Sequence, residues 1–410
     1  MRFIPLGKGH LRACSAFVWA FSIAAALTAC GGGGGDADPA KLPGGVSSGP
    51  ALSAMAQLGQ KVFNDPSLSA SGRQSCASCH DAATAHAQPN ALAAQLGGSM
   101  LDQQGSRLSP SIRYLASNKA FSFTADGTPN GGFFWDGRAS SLQEQAGQPF
   151  LNPVEMANGS KDEVIRRLAA ASYAEEFRKL FGDNIMGDAE AAFQRLTLAL
   201  QQYQLEDSAF RPFSSKYDAF LLGKIPRLND QEIRGLALYN NPVKGRCFAC
   251  HPSARGSDGR LPLFTDFTYD SLGVPRNGEL RQNDDPNFYD LGLCGRDDLK
   301  DRTGLCGKFK VPSLRNVALR HAFFHNGKFK TLKDVVTFYV QRDTNPEKWY
   351  PQNADGTYDK FNDLPSAYRG NVNVLEGPYN RQPGQEPALS DAEVDDVIAF
   401  LQTLTDGYQP

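Results

Sequence analysis

The sequence has no excess of either charge. It carries 42 basic and 44 acidic residues for a formal charge of −2, so nothing marks nucleic acid as a partner. Strand-like alternation is scarce, which argues against a sheet-based fold. The apolar stretch from Ala16 to Ala29 is too short to be a comfortable membrane span. None of the five methionines lies beyond Met186, so the C-terminal half has no thioether to offer a metal.

A chain of 410 residues exceeds what one ordinary core accommodates, and two domains are expected. The N-terminus reads as an export signal over residues 1–29. Arg2, Lys8 and Arg12 form a basic start, the apolar stretch follows, and Leu27-Thr28-Ala29-Cys30 precedes five glycines. That ending resembles a bacterial lipobox, in which Cys30 takes the lipid; simple cleavage near Ala29 is the alternative. Residues 30–50, rich in Gly, Asp, Pro and Ser, read as a flexible tether.

Export places the cysteines in an oxidising compartment where each needs a fate. Of the eight, Cys14 leaves with the signal and Cys30 is the lipidation residue. Cys76-Ala-Ser-Cys79-His80 and Cys247-Phe-Ala-Cys250-His251 are two copies of the attachment signature for c-type heme. The short turn presents both thiols to one porphyrin edge, and the adjacent histidine becomes the proximal iron ligand. A thioredoxin-like pair would need a βαβ pattern, and a zinc site a matched second pair nearby; neither is present. Cys294 and Cys306 remain, and a disulfide there would close a short loop worth about 3 kcal/mol; a reduced pair is the alternative.

The motifs expose a repeat. Leu58-Gly59 to Phe63 precedes the first and Glu232 to Tyr239 the second, each a short helix carrying an aromatic. Asn229 and Glu232 have the spacing of a capping box, as do Ser390 and Glu393 before a terminal amphipathic helix. Asp162 to Phe181 and Asp188 to Leu205 also read as helical. The expected fold is all-α, with two cytochrome c-like heme domains over residues 51–210 and 211–410 and long loops around the porphyrins.

Two hemes alone could serve electron transfer only; a catalyst must leave one iron open. Without methionine, the second heme must use His321, His325, Tyr339, a lysine, water or nothing as sixth ligand.

The two heme motifs, Phe134-Trp135-Asp136-Gly137-Arg138 with Glu144-Gln145-Ala146 and Asn152-Pro153-Val154-Glu155-Met156, Phe309-Lys-Val-Pro312-Ser-Leu-Arg-Asn316 and Phe324-His325-Asn326-Gly327 together resemble the bacterial diheme cytochrome c peroxidase superfamily, in its MauG-like branch. The resemblance runs through nearly all of residues 51–405. It implies that the heme on His80 reacts with hydrogen peroxide. Glu155 matches the acid/base that moves a proton between the peroxide oxygens, and Gln145 the distal amide. Trp135 matches the indole relay between hemes. Tyr339, fourteen residues after His325, matches the axial tyrosine of that branch, where ordinary peroxidases have methionine. Read without the resemblance, Glu155 is a helix-start or surface carboxylate, and Trp135 and Tyr339 are core aromatics.

Two features depart from the superfamily pattern. A displaceable histidine is missing about sixteen residues beyond His80, where Leu96 stands and His86 is the only nearby candidate. The position matching a calcium-binding asparagine is Leu108, which leaves calcium in question beside the two hemes c.

The implied function is peroxide reaction at the first heme, with oxidising equivalents stored over both hemes to oxidise a partner protein or redox donor. One alternative is a conventional peroxidase fed by cytochrome c or a cupredoxin; another is a non-catalytic diheme electron-transfer protein. The expected location is the bacterial periplasm, lipid-anchored, with the outer membrane favoured by Gly31 after Cys30.

Overall fold

Ten α-helices and three two-stranded ribbons make up the regular structure of residues 51–410, the part of the chain that the computed structural model describes. The signal, the tether and Cys30 lie outside the described residues. The helices are α1 (Ala54–Asn64), α2 (Cys76–Cys79), α3 (Leu142–Leu151), α4 (Lys161–Ala170), α5 (Ala174–Phe181), α6 (Ala189–Glu206), α7 (Lys216–Leu221), α8 (Asp230–Tyr239), α9 (Leu332–Gln341) and α10 (Asp391–Gln402). Each antiparallel ribbon pairs only two residues per strand, so the fold is mostly helical. No helix among the described residues is long and apolar enough to cross a membrane.

The capping signals act as read. Asn229 with Glu232, and Ser390 with Glu393, form complete boxes at α8 and α10. The 162–181 segment departs from the expectation of continuous helix. It breaks at Ala171, whose backbone is extended, and Tyr173 then starts α5. Tyr173 is buried and its hydroxyl donates to Asp65 at 2.7 Å, so a tertiary contact turns the chain where local propensity would continue it.

Two apolar clusters hold the body together. One gathers side chains from Leu58 to Phe210, the other from Tyr217 to Leu404. In the first, α1 crosses α6; in the second, α8 crosses α10. Each crossing turns on a glycine: a Cβ on Gly59 would collide with the Ala199 carbonyl, and one on Gly235 with that of Asp396. Asp406 joins elements from both clusters, accepting from Tyr114 and Asn316 and lying 3.5 Å from Arg113.

The repeat extends well beyond the helix-plus-heme unit. Pro110-Ser-Ile-Arg113 recurs as Pro312-Ser-Leu-Arg315, and Phe133-Phe-Trp-Asp-Gly137 as Phe323-Phe-His-Asn-Gly327. The backbones agree as well. Phe134 and Phe324 have φ of 66° and 64°, Gly137 and Gly327 have 67° and 61°, and each turn is closed by a bridge, Phe133 to Ala139 and Phe323 to Phe329. The helices that follow, α3 and α9, begin after the equivalent caps Ser141 and Thr331 and run ten residues each. In this register Trp135 corresponds to His325, and Pro149 to Tyr339.

Candidate active site between two heme-attachment turns

Each Cys-x-x-Cys-His turn faces a cavity. Cys76, Cys79 and His80 line the first with Gln145, Pro149 and Glu155. Cys247, Cys250 and His251 line the second with His321, Tyr339 and Tyr379. Burial pushes all four thiols up, Cys79 to about 11 and the others to about 12. They are therefore protonated and poorly activated as thiolate nucleophiles or metal donors, and thioether attachment gives them a fate that fits.

The proximal imidazoles are oriented in the same way in both turns. His80 Nδ1 lies 3.2 Å from the His86 carbonyl, and His251 Nδ1 lies 2.8 Å from the Phe264 carbonyl. Both carbonyl residues have φ of 53°, a left-handed turn that points the carbonyl back at the ring. With Nδ1 committed as donor, Nε2 is left as the metal-binding nitrogen. Burial depresses both imidazoles, which favours the neutral form that ligates iron.

Glu155 and Gln145 share the first cavity with His80. Gln145 comes from α3; Glu155 comes from the turn after it, where its N–H donates to Asn152. Burial raises the Glu155 carboxyl above its ordinary range, opposed by Arg138 and by a hydrogen bond from Asn152. A carboxyl so placed holds its proton more tightly than an exposed glutamate and can serve as an acid or a base beside His80.

Trp135 lines both the first cavity and the second. It is buried with Leu108 and Ala322, and its indole donates to the Leu108 carbonyl at 2.8 Å. The next residue, Asp136, is bound by Arg107 and Arg138, and Arg107 also grips Asp290 through two bonds of 2.6 and 2.7 Å. That network fixes the turn carrying the indole.

Tyr339 projects from α9 into the second cavity. Its ring lies 5.7 Å from Phe324 and 6.0 Å from Tyr379. Burial first, then Cys250 and Asp270, raises its phenol; a ferric ion facing it would supply the opposing positive charge. His321 lines the same cavity. His325 is stacked on Phe309 at 3.5 Å, with Nε2 at 3.4 Å from Asp363 but not aligned for a hydrogen bond.

His86 is turned away from any ligand role. Its ring stacks on Phe210 at 4.3 Å and its Nδ1 accepts from Arg113, while its carbonyl serves His80. Burial and Arg113 lower its imidazole to about 4. Cys294 and Cys306 are joined in a disulfide. The Leu108 carbonyl, at the position considered for calcium, is taken by the indole.

Sequence reasoning missed the carbonyls of His86 and Phe264, the role of Pro149, and the basic residues Lys310 and Arg320. The repeated Phe-Phe-x-x-Gly segments were the available signal for Pro149, through the register they set with Tyr339.

The model for the di-haem cytochrome c peroxidase family matches residues 53–225. Methylamine utilization protein MauG of Paracoccus denitrificans is 36% identical, over 88% of this chain and 91% of the relative. The chain belongs to the di-haem cytochrome c peroxidase family. Cytochrome c551 peroxidase of Nitrosomonas europaea is 32% identical over 69% of this chain and 71% of its own. The crystal structure of diheme peroxidase BthA from Burkholderia thailandensis superposes with a TM-score of 0.81 at 41% identity, covering 87% of both chains. The protein is thus a MauG-like diheme peroxidase, an oxidoreductase that acts on peroxide and carries two hemes c.

Proposed function

We propose that the two hemes are held unequally, the first open to peroxide and the second closed by Tyr339. One observation carries this reading. In the repeat, α9 presents Tyr339 to the second cavity, whereas the equivalent position of α3 presents Pro149 to the first. A proline side chain has no donor atom for iron, so this position of α3 would offer no ligand on the His80 side.

His80 would hold the first iron and His251 with Tyr339 the second. Bound there, the hemes supply the iron redox chemistry that cleaves the oxygen–oxygen bond. The chain's own part is to position and to move protons. Gln145 holds the peroxide by hydrogen bonding. Glu155 would accept a proton from one peroxide oxygen and return it to the other, which departs as water. Trp135, in contact with both cavities, is a polarisable route for electrons between them. Phenolate, a hard anionic donor, favours the higher oxidation states of the second iron and suits storage of oxidising equivalents for a partner protein or redox donor.

The two apolar clusters support a division into heme domains at residues 51–210 and 211–410. The basic start, apolar stretch and Leu-Thr-Ala-Cys sequence support export and lipid anchoring at Cys30 in the periplasm. Rapid mixing of the ferric protein with a modest excess of peroxide tests the core of the reading. Both hemes should change their spectra together; two unperturbed ferric hemes would end it. Electron paramagnetic resonance should show one high-spin heme, and Tyr339→Met should alter only the low-spin signal. Fast steady-state turnover with reduced cytochrome c would instead favour a conventional detoxifying peroxidase.

A further inference from the structure

Two basic side chains, Lys310 and Arg320, line both cavities at once. They differ from the other basic groups around the first cavity. Arg107 lies against Asp136 and Asp290, Arg113 against Asp406, Arg138 against Asp136, and Arg315 against Asp218. Lys310 and Arg320 have no carboxylate partner among the described residues. Arg320 gives one bond, from Nη2 to the Ser313 carbonyl at 2.6 Å, and its Nε is buried without an acceptor. Lys310 donates to the Gly131 carbonyl at 2.7 Å and to Asn118 at 3.3 Å, which leaves one of its three donors free.

Both side chains are half-buried, and a cation withdrawn from water is favoured when an anion pairs with it. In the protein alone, burial depresses Lys310 to about 7, with Asp266 opposing, and Arg320 to about 10 with nothing opposing. Lys310 already lies over the Phe267 and Tyr269 rings, yet both side chains keep donor capacity at the walls of the two cavities, which suits an anion brought in from outside the polypeptide. Each heme c carries two propionate carboxylates, and a guanidinium fork is suited to them.

We propose that Arg320 and Lys310 form a cationic seat between the two cavities that binds heme propionates. The inference rests on the two-heme reading of the site. A positive charge shared by both cavities stabilises the reduced state of each iron, so the seat raises both reduction potentials and keeps the propionates ionised.

The test uses the heme-loaded full chain with Arg320→Met and Lys310→Met, and Lys310→Arg as the charge-keeping control. Heme content comes from the pyridine hemochrome, potentials from spectroelectrochemistry, and propionate ionisation from redox-difference infrared spectra. The Met variants should keep two hemes per chain, show lower potentials at both, and gain the carbonyl band of a protonated propionate. Lys310→Arg should stay near the parent. Two hemes with parental potentials and spectra in both Met variants would overturn the seat. Should neither Met variant fold, the parent decides: ionised propionates at neutral pH support the seat, and protonated ones overturn it. Fewer than two hemes in the parent would instead refute the reading on which the inference rests.

Discussion

Asp218→Asn probes how the second heme turn is supported. Asp218 and Arg315 are each 1% exposed and joined by two bonds of 2.9 and 2.8 Å. Arg315 Nε also holds the Pro262 carbonyl at 2.9 Å, two residues before the Phe264 carbonyl that orients His251. The variant keeps the shape of the side chain and strands a buried guanidinium, a loss that typically costs about 3–5 kcal/mol. The rings of Tyr114 and Phe213, at 4.8 and 4.5 Å from the guanidinium carbon, retain about 1 kcal/mol of that through cation–π attraction. The expected loss is therefore about 3 kcal/mol, or roughly 4 °C in melting temperature for a body of this size. Burial raises the Asp218 carboxyl, but Arg315 outweighs it and the net direction is down. A carboxyl depressed in the folded state stabilises above its unfolded pKa, and that contribution is lost as pH falls through the folded value. The gap between parent and variant in urea midpoint should thus be full at pH 7 and shrink toward acid. A loss below about 1 kcal/mol at pH 7, or a gap that widens with acid, would refute the reasoning.

Other perturbations separate the chemistry from the scaffold. Glu155→Gln should slow the second-order reaction with peroxide by roughly 10²–10⁴-fold, read by stopped flow, with both hemes retained. Because burial raises the Glu155 carboxyl and the ionised form accepts the proton, the parent rate should fall with acid along a limb above the ordinary glutamate range, and the variant should lack that limb. Pro149→Tyr places a phenol where α9 has Tyr339; the high-spin ferric signal should diminish and peroxide reactivity fall with it. Gly235→Ala forces a methyl into the Asp396 carbonyl; overpacking of this kind costs about 1–3 kcal/mol, measured as a lower urea midpoint with unchanged peroxide chemistry.

The heme turns were legible because covalent attachment fixes residue type and spacing together, leaving little freedom in Cys76-Ala-Ser-Cys79-His80. The caps of α8 and α10 were legible for a similar reason, since an Asn or Ser side chain and a carboxylate three residues later satisfy one another locally. The break at Ala171 was not, because the contact that bends the chain joins Tyr173 to Asp65, over a hundred residues away. Lys310 and Arg320 were equally hidden. Lys310 sits in a two-residue strand and Arg320 in a loop; neither position carries a local pattern that marks a cavity wall, and only the fold brings both to the two cavities. The carbonyls of His86 and Phe264 carry no side-chain signature at all; their role follows from backbone geometry.

The duplicated frame explains how one architecture can hold two irons for different work. Both halves keep the parts that position a heme: the glycine at the helix crossing, the proximal histidine with the carbonyl of a left-handed residue as its acceptor, the Pro-Ser-x-Arg segment and the Phe-Phe-x-x-Gly turn. They diverge at the positions facing the reactive side, where Trp135 stands for His325 and Pro149 for Tyr339, and only the first half adds Glu155. A change confined to such positions alters ligation without disturbing the scaffold, because α3 and α9 keep the same length and equivalent caps. On the proposed reading, the asymmetry between the irons would be set mainly by what two equivalent helices carry at their eighth residue, Pro149 in α3 and Tyr339 in α9.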